Sequence, residues 1–205
     1  QKFVIENGDV EHITTKVDQG IGIRVLADGA WGFFSIANPK VIDDVFVGLD
    51  NAIKSTKFCA TKKKNRIRIK EIPAINQTTN FPVKIKSDLE SLLKIGFDCD
   101  KIIREQKRVI KSIASIGYST TEKYFVNSEG SEITQNFTDV VVEMIATAHE
   151  SGLTQSVNIT EGGRGGLEQI TNKDRIQQKA KDISQKASEL ILAKPVKEEQ
   201  TTVVM

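Results

Sequence analysis

Residues 108–160 read RVIKSIASIGYSTTEKYFVNSEGSEITQNFTDVVVEMIATAHESGLTQSVNIT. Apolar and polar residues alternate through most of this stretch, and a period of two is the signature of β-strands with one buried face. Four strands are expected: Ile110–Ile116, Tyr118–Val126, Ile133–Ala148 and Leu153–Thr160. Asn127-Ser128-Glu129-Gly130 and Ser151-Gly152 carry the residue types that close tight turns. Strands joined by such short turns lie antiparallel. Val140 to Ile145 is nearly continuous in apolar character, so this strand belongs at the centre of its sheet.

Helices flank this block. Asn38-Pro39 resembles a helix start, with Asn as cap and Pro in the first turn. Val41, Ile42, Val45, Phe46, Leu49, Ala52 and Ile53 then share one face. Asp43 and Asp44 near the start, and Lys54 and Lys57 further on, suit the helix dipole. Ser87-Asp88-Leu89-Glu90 has the capping-box pattern and predicts a helix to about Arg104, weakened in its middle by Gly96. A third helix is expected from Asn172 to before Pro195, with Ile176, Ala180, Ile183, Ala187, Leu190 and Ile191 at helical spacing.

The first forty residues read as a β-meander: Phe3–Glu6, Val10–Val17, Ile21–Ala27 and Ala30–Ala37, with Asp28-Gly29 as a hairpin signal. Gly22 and Gly32 inside strands suggest bulges or another element packed on the backbone. Residues 61–86 are expected to cross the surface as a loop with one short strand at Ile67–Ile69. There is no βαβ rhythm. The fold class is therefore α+β, with antiparallel β-meanders and sheets packed with about three long helices.

The composition bounds function. The 205 residues are 39% hydrophobic, and 29 basic against 27 acidic residues leave a formal charge of +2. That balance argues against a nucleic-acid partner held by bulk attraction to phosphates. No apolar run approaches the ~18–20 residues of a membrane span, so no membrane partner is expected. The basic cluster Lys62–Arg68 reads as a solvated loop and strand start, without interleaved aromatics for base stacking. Cys59 and Cys99 are too few for a disulfide scaffold. They read as buried free thiols of a reducing, cytoplasmic protein.

The chain opens at Gln1 without Met and closes on Thr201-Thr202-Val203-Val204-Met205, a β-branched run of the kind that begins a buried strand. It is thus expected to be a fragment. Residues 1–197 would form an N-terminal domain, and residues 198–205 a linker and the first strand of a missing C-terminal domain.

Candidate chemistry is sparse. His149-Glu150 lacks a second His one helical turn on, which the zinc-peptidase motif requires, and the other histidine is His12. No catalytic, cofactor-binding or metal-ligating residue is assigned. Trp31 and Arg24 fit a core Trp beside a hairpin, or surface recognition groups. The most unusual stretch is Glu161-Gly162-Gly163-Arg164-Gly165-Gly166-Leu167-Glu168. It has neither the Lys-Ser/Thr pair nor the βαβ context of a phosphate loop. It reads either as a strand end with a flexible loop, or as a place where another backbone approaches closely and Arg164 reaches a carboxylate or carbonyl. Gly162, Gly163, Arg164, Gly165 and Gly166 are the candidate residues for contact with a peptide or partner chain.

Three segments resemble the TldD/PmbA ("modulator of DNA gyrase") metallopeptidase family. Gly20-Ile21-Gly22-Ile23-Arg24-Val25 with Asp28-Gly29-Ala30-Trp31-Gly32-Phe33 is similar to its N-terminal glycine-rich strand pair. Phe125-Val126-Asn127-Ser128-Glu129-Gly130 resembles its Asn-Ser-x-Gly turn, and Gly162-Gly163-Arg164-Gly165-Gly166 its Gly-Gly-Arg-Gly loop. The resemblance implies a protein of roughly twice this length whose metal motif, His-Glu then His, lies beyond the strand begun at Val203, with a later Cys completing the shell. It also implies zinc in that missing half, a C-terminal catalytic domain, homo- or heterodimers of TldD/PmbA-type subunits, and small or unfolded peptides as substrates. This chain would supply scaffold, dimer contacts and part of the substrate channel. The alternative is a stand-alone, non-catalytic assembly or peptide-binding subunit of the TldE/PmbA kind.

Overall fold

A computed structural model describes residues 1–86 and 88–194, with Lys173 by its backbone alone. The elements in chain order are β1 (Lys2–Glu6), β2 (Asp9–Thr14), β3 (Gly20–Ala27), β4 (Ala30–Ala37), α1 (Ile42–Lys62), β5 (Asn76–Asn80), α2 (Leu89–Arg104), β6 (Val109–Val126), β7 (Glu132–Glu150), β8 (Leu153–Arg164) and α3 (Lys173–Ile191). The fold is α+β. The segment 198–205, expected as linker and first strand of a further domain, lies outside the described residues. The chain divides into two compact units.

Of the described residues, the larger unit comprises Gln1–Thr15, Ile75–Asn127 and 131–194. Its six-stranded sheet has the order β2-β1-β6-β7, and the other edge of β7 carries two strands. β5 runs parallel to Glu132–Asn136, and β8 runs antiparallel to Asp139–Glu150. β7 is central, as its apolar run predicts. Val140, Val142, Met144, Ala146 and Ala148 are fully buried on one face, because alternate strand residues point to the same side. They form one core with Phe3 and Ile116 of the sheet, Leu92 and Ile103 of α2, and Ile176, Ala180 and Ala187 of α3.

Three strands, not four, span residues 109–164. Ile110–Ile116 and Tyr118–Val126 are one strand, because Gly117 pairs in register with Lys2 on one side and Val141 on the other. The first forty residues are also not one meander. β1 and β2 join the large sheet through β6, while β3 and β4 pair only with each other. Gly96 has a packing role in α2, since a Cβ there would strike Ile5. The cap of α2 is Asp88, whose carboxylate accepts from the Ser91 N–H at 2.8 Å and its hydroxyl at 2.7 Å. Those bonds hold the Asp88 carboxyl below its ordinary pKa. The expected cap Ser87 lies outside the described residues. Asn172 caps α3, accepting from the Arg175 N–H at 3.1 Å. The carboxylate of Asp100 is wholly buried in α2, where it accepts from the Ser112 hydroxyl and from Arg104 Nε at 2.8 Å.

The smaller unit comprises Lys16–Ala74 with Ser128–Gly130. The β3–β4 hairpin packs on α1, which buries Gly48, Ala52, Thr56 and Ala60. These small residues recur every four positions and let the helix lie close to the strands. A Cβ on Gly32 would overlap the Thr56 hydroxyl, so close packing is the reason for this strand glycine. α1 begins at Ile42 rather than at Pro39, because Asn38 turns the chain with φ 50°. The Asp44 carboxylate then caps the helix from inside, accepting from Lys40 N at 2.7 Å and Val41 N at 3.2 Å, which lowers its pKa. No strand forms at Ile67–Ile69, where among the described residues the one backbone bond of the expected strand is Ile67 N–H to Gly29 O at 2.8 Å. Nor is Cys59 a buried thiol; it is exposed at the end of α1. Cys99 is buried, and desolvation, reinforced by Asp98 and Asp100, raises its thiol to about 12. No helix among the described residues is long and apolar enough to cross a membrane.

Candidate functional site

The glycine-rich loop lies in the larger unit, where β8 leaves the edge of β7. The β7–β8 ladder pairs Val141 with Gly162, Val140 with Gly163 and Asp139 with Arg164. One residue later Gly165, at φ 141°, donates its N–H to Thr138 O at 2.8 Å. The same edge of β7 receives β5 from the other direction, and Phe81 N–H closes that ladder on Asn136 O at 2.9 Å. The loop thus fills the gap where two strands meet end to end on one neighbour.

Each glycine has a different environment. A Cβ on Gly162 would overlap the Val140 carbonyl oxygen, and its φ of 156° disfavours a side chain. A Cβ on Gly166 would overlap the Ile85 carbonyl oxygen and lie 2.6 Å from Val83 Cγ1. That close approach lets Leu167 N–H bond Ile85 O at 2.9 Å. At Gly163 the near neighbour is the end of the flexible Gln169 side chain. Gly165 faces the side chains of Glu168 and Gln169.

Glu168 clasps the loop to the segment before α2. Its carboxylate accepts from Gly166 N at 2.8 Å, Ile85 N at 2.8 Å and Lys84 N at 3.2 Å. Desolvation works to raise this carboxyl, but the backbone donors outweigh it and hold the pKa at about 2. A cavity of about 280 Å³ opens beside this clasp, lined by Ile85 and Leu167 together with Ile95, Cys99, Ile170 and Ile176.

Arg164 is engaged within its own unit. Its Nε donates to Asp139 at 3.1 Å. Its guanidinium carbon sits 3.9 Å from the Phe137 ring centre and 5.1 Å from that of Phe81. The two rings meet edge to face at 6.2 Å. The side chain remains 45% exposed, so a second partner has access to its other donors. Phe81, Phe137 and Asp139 were not singled out from the sequence. Strand register brings them to Arg164, and no spacing in the chain signals it.

Other sequence candidates lie apart. His149 Nδ1 is 2.9 Å from Thr154 Oγ1 at the end of the β7–β8 hairpin, and Glu150 pairs with Arg108. In the smaller unit the Arg24 guanidinium lies 4.2 Å from the Trp31 ring centre, and Trp31 is half-buried. Among the described residues no three His, Cys, Asp or Glu side chains gather as metal ligands would. The donor set of a peptidase metal does not fit this part of the chain.

Comparison with known proteins defines the class first. The family model described as PmbA/TldA metallopeptidase domain 1 matches residues 1–58, and that of the PmbA/TldA metallopeptidase central domain matches residues 85–194. These are two successive domains of metallopeptidases. The chain belongs to the PmbA/TldD metallopeptidase family. It is 29% identical over 198 residues to a metalloprotease of Methanocaldococcus jannaschii, covering 94% of this chain and 42% of that protein. It is 24% identical over 194 residues to a metalloprotease of Methanothermobacter thermautotrophicus, covering 94% and 41%. The chain thus spans about two-fifths of the length of these relatives. Its fold is shared with a Thermotoga maritima protein described as a modulator of DNA gyrase, at TM-score 0.63 and 17% identity over 96% of this chain and 43% of that one. It is also shared with TldE from Thermococcus kodakarensis, at TM-score 0.61 and 13% identity over 91% and 41%.

Proposed function

We propose that this chain is the N-terminal, non-catalytic part of a zinc-type metallopeptidase that acts on small or unfolded peptides in the cytoplasm. It supplies scaffold, contacts to a second TldD/PmbA-type subunit, and part of the channel that leads peptide to a C-terminal catalytic domain. One observation carries the reading: two successive metallopeptidase domains match a chain two-fifths the length of its metalloprotease relatives, and its described residues gather no metal-ligand set. The glycine-rich loop, with Arg164 half-exposed at its centre, is the surface proposed to meet that domain, subunit or peptide. The alternative is a stand-alone, non-catalytic assembly or peptide-binding subunit of the TldE/PmbA kind.

Intact mass and metal content of the protein from its natural source decide between them. A mass about double 22.7 kDa with one zinc per chain supports the peptidase reading. A mass near 22.7 kDa without metal supports the stand-alone subunit. In the longer protein, Gly163→Ala is expected to impair assembly or peptide cleavage while leaving the folded unit intact. Unchanged assembly and cleavage would remove the loop from the proposal.

A further inference from the structure

Residues 59–84 fall between the two family matches and belong to neither. They include Lys62-Lys63-Lys64-Asn65-Arg66-Ile67-Arg68-Ile69-Lys70, six cations and no acid in nine residues of a chain whose formal charge is only +2. From Arg66 to Ile75 the backbone runs without a turn or bend. Cations and isoleucines alternate along it from Arg66 to Lys70, after which come Glu71, Ile72 and Pro73. In an extended chain that pattern sets Arg66, Arg68 and Lys70 on one side, about 6.6 Å apart, and Ile67 and Ile69 on the other.

The segment therefore has the pattern of a strand, and among the described residues no strand pairs with it. Among the described residues, Ile67 N–H to Gly29 O is the one hydrogen bond made by the backbone from Arg66 to Ala74. Arg66, Arg68 and Lys70 are all exposed and enter none of the ion pairs formed among those residues. Ile69 and Ile72 are 56% and 57% exposed.

A fitting partner has to offer negative charge, apolar side chains and backbone hydrogen bonds together. A nucleic acid offers the charge and leaves the isoleucines uncovered. An anionic bilayer offers charge and apolar depth, but no ladder for the free N–H and C=O groups. An extended peptide with alternating carboxylate and apolar residues offers all three. We propose that Arg66–Ile72 is a docking strand for an extended acidic segment of a partner protein. Its carboxylates lie opposite Arg66, Arg68 and Lys70, and its apolar side chains opposite Ile67 and Ile69. This inference is independent of the peptidase reading, since it rests on residues outside both family matches.

The test uses the full 205-residue chain and a labelled peptide of sequence Val-Glu-Val-Glu-Val-Glu-Val, followed by fluorescence anisotropy. The comparison probes are a peptide of the same composition with its glutamates in one block, a DNA duplex, and phosphatidylserine vesicles. The alternating peptide is expected to bind at least tenfold more tightly than the block peptide and to slow amide exchange at Arg68–Ile72 at least tenfold. Joint replacement Arg66→Glu, Arg68→Glu and Lys70→Glu should weaken it tenfold or more. Ile72→Pro leaves every charge in place but removes a ladder N–H on the edge opposite the one where Ile67 N–H meets Gly29 O, and should do the same. Unchanged exchange protection of β6 and β7 amides in the variants shows that they remain folded. Equal affinity for the block peptide, no slowing at Arg68–Ile72, or binding of duplex or vesicles in preference to the peptide overturns the proposal.

Discussion

Replacing Gly166 by Ala and Gly163 by Ala should have unlike effects, although the two glycines lie three residues apart in one loop. At Gly166 the new Cβ meets the Ile85 carbonyl oxygen and Val83 Cγ1, and backbone has to move. Overpacking of this kind costs about 1–3 kcal/mol. Displacing Ile85 also weakens the Leu167–Ile85 hydrogen bond, at about 1 kcal/mol, and loosens the Glu168 clasp on Ile85. The sum is roughly 2–4 kcal/mol, a large part of the stability of an ordinary domain. At Gly163 the Cβ meets only the end of the Gln169 side chain, which has other rotamers. There the cost is expected below about 1 kcal/mol, offset by the backbone entropy that Ala removes from the unfolded chain. Native-state hydrogen exchange at Leu167 and along β7, with urea melts, measures both. Equal losses from the two substitutions would refute the assignment of Gly166 to contact within the chain.

Asp100→Ala should destabilise the larger unit by about 1–3 kcal/mol, because it strands the buried Ser112 hydroxyl, whereas the Arg104 guanidinium, 43% exposed, keeps access to water. Asp100→Asn, which keeps the volume and one acceptor, should cost less, and urea denaturation followed by circular dichroism ranks the two. Glu168 supplies an acid dependence of known sign. Its folded pKa of about 2 lies below its ordinary 4.5, so its stabilisation is complete above about pH 4.5 and is lost as pH falls through about 2. Urea midpoints between pH 6 and pH 2.5 should fall less steeply in Glu168→Gln than in the parent chain. A thiol reagent at pH 8 should modify the exposed Cys59 rapidly and reach the buried Cys99, with its thiol near pKa 12, only after denaturation. Two fast equivalents in the folded chain would contradict the burial of Cys99.

Local signals made half of this fold legible. The period of two over residues 109–160 marks the β6–β8 meander. Its second turn uses Ser151 and Gly152 at positive φ, as the composition of that turn suggests. Asn172 and the apolar face from Ile176 to Ile191 mark α3. Long-range pairing was not legible. β1 lies against Ala114–Gly117, more than a hundred residues away, and nothing near Phe3 distinguishes that neighbour from β3. β5 was hidden for a different reason. Asn76-Gln77-Thr78-Thr79-Asn80 has no apolar face, and it pairs through its backbone and through its amides, Asn80 to Asn136 at 2.8 Å and Asn76 to the Glu132 N–H at 3.0 Å.

The same division between local and distant information runs through the glycine-rich loop. Four glycines in five residues announce close approach of some backbone, but composition does not say whose. For Gly162 and Gly166 it is this chain's own, at Val140 and Ile85. Arg164 likewise has an internal carboxylate and two aromatic rings. The loop is therefore held in place before any partner arrives, and partner contact no longer has to account for all four glycines. What the fold itself leaves unexplained is Gly163 and the outer donors of Arg164. That pair is small enough to test with Gly163→Ala and Arg164→Lys, the second keeping the charge and losing the fork. If either substitution disturbs assembly of the longer protein proposed above while the unit's exchange protection stays unchanged, the loop meets a partner there. If neither does, its glycines serve only to let β5, β8 and the segment at Ile85 converge on one edge of β7.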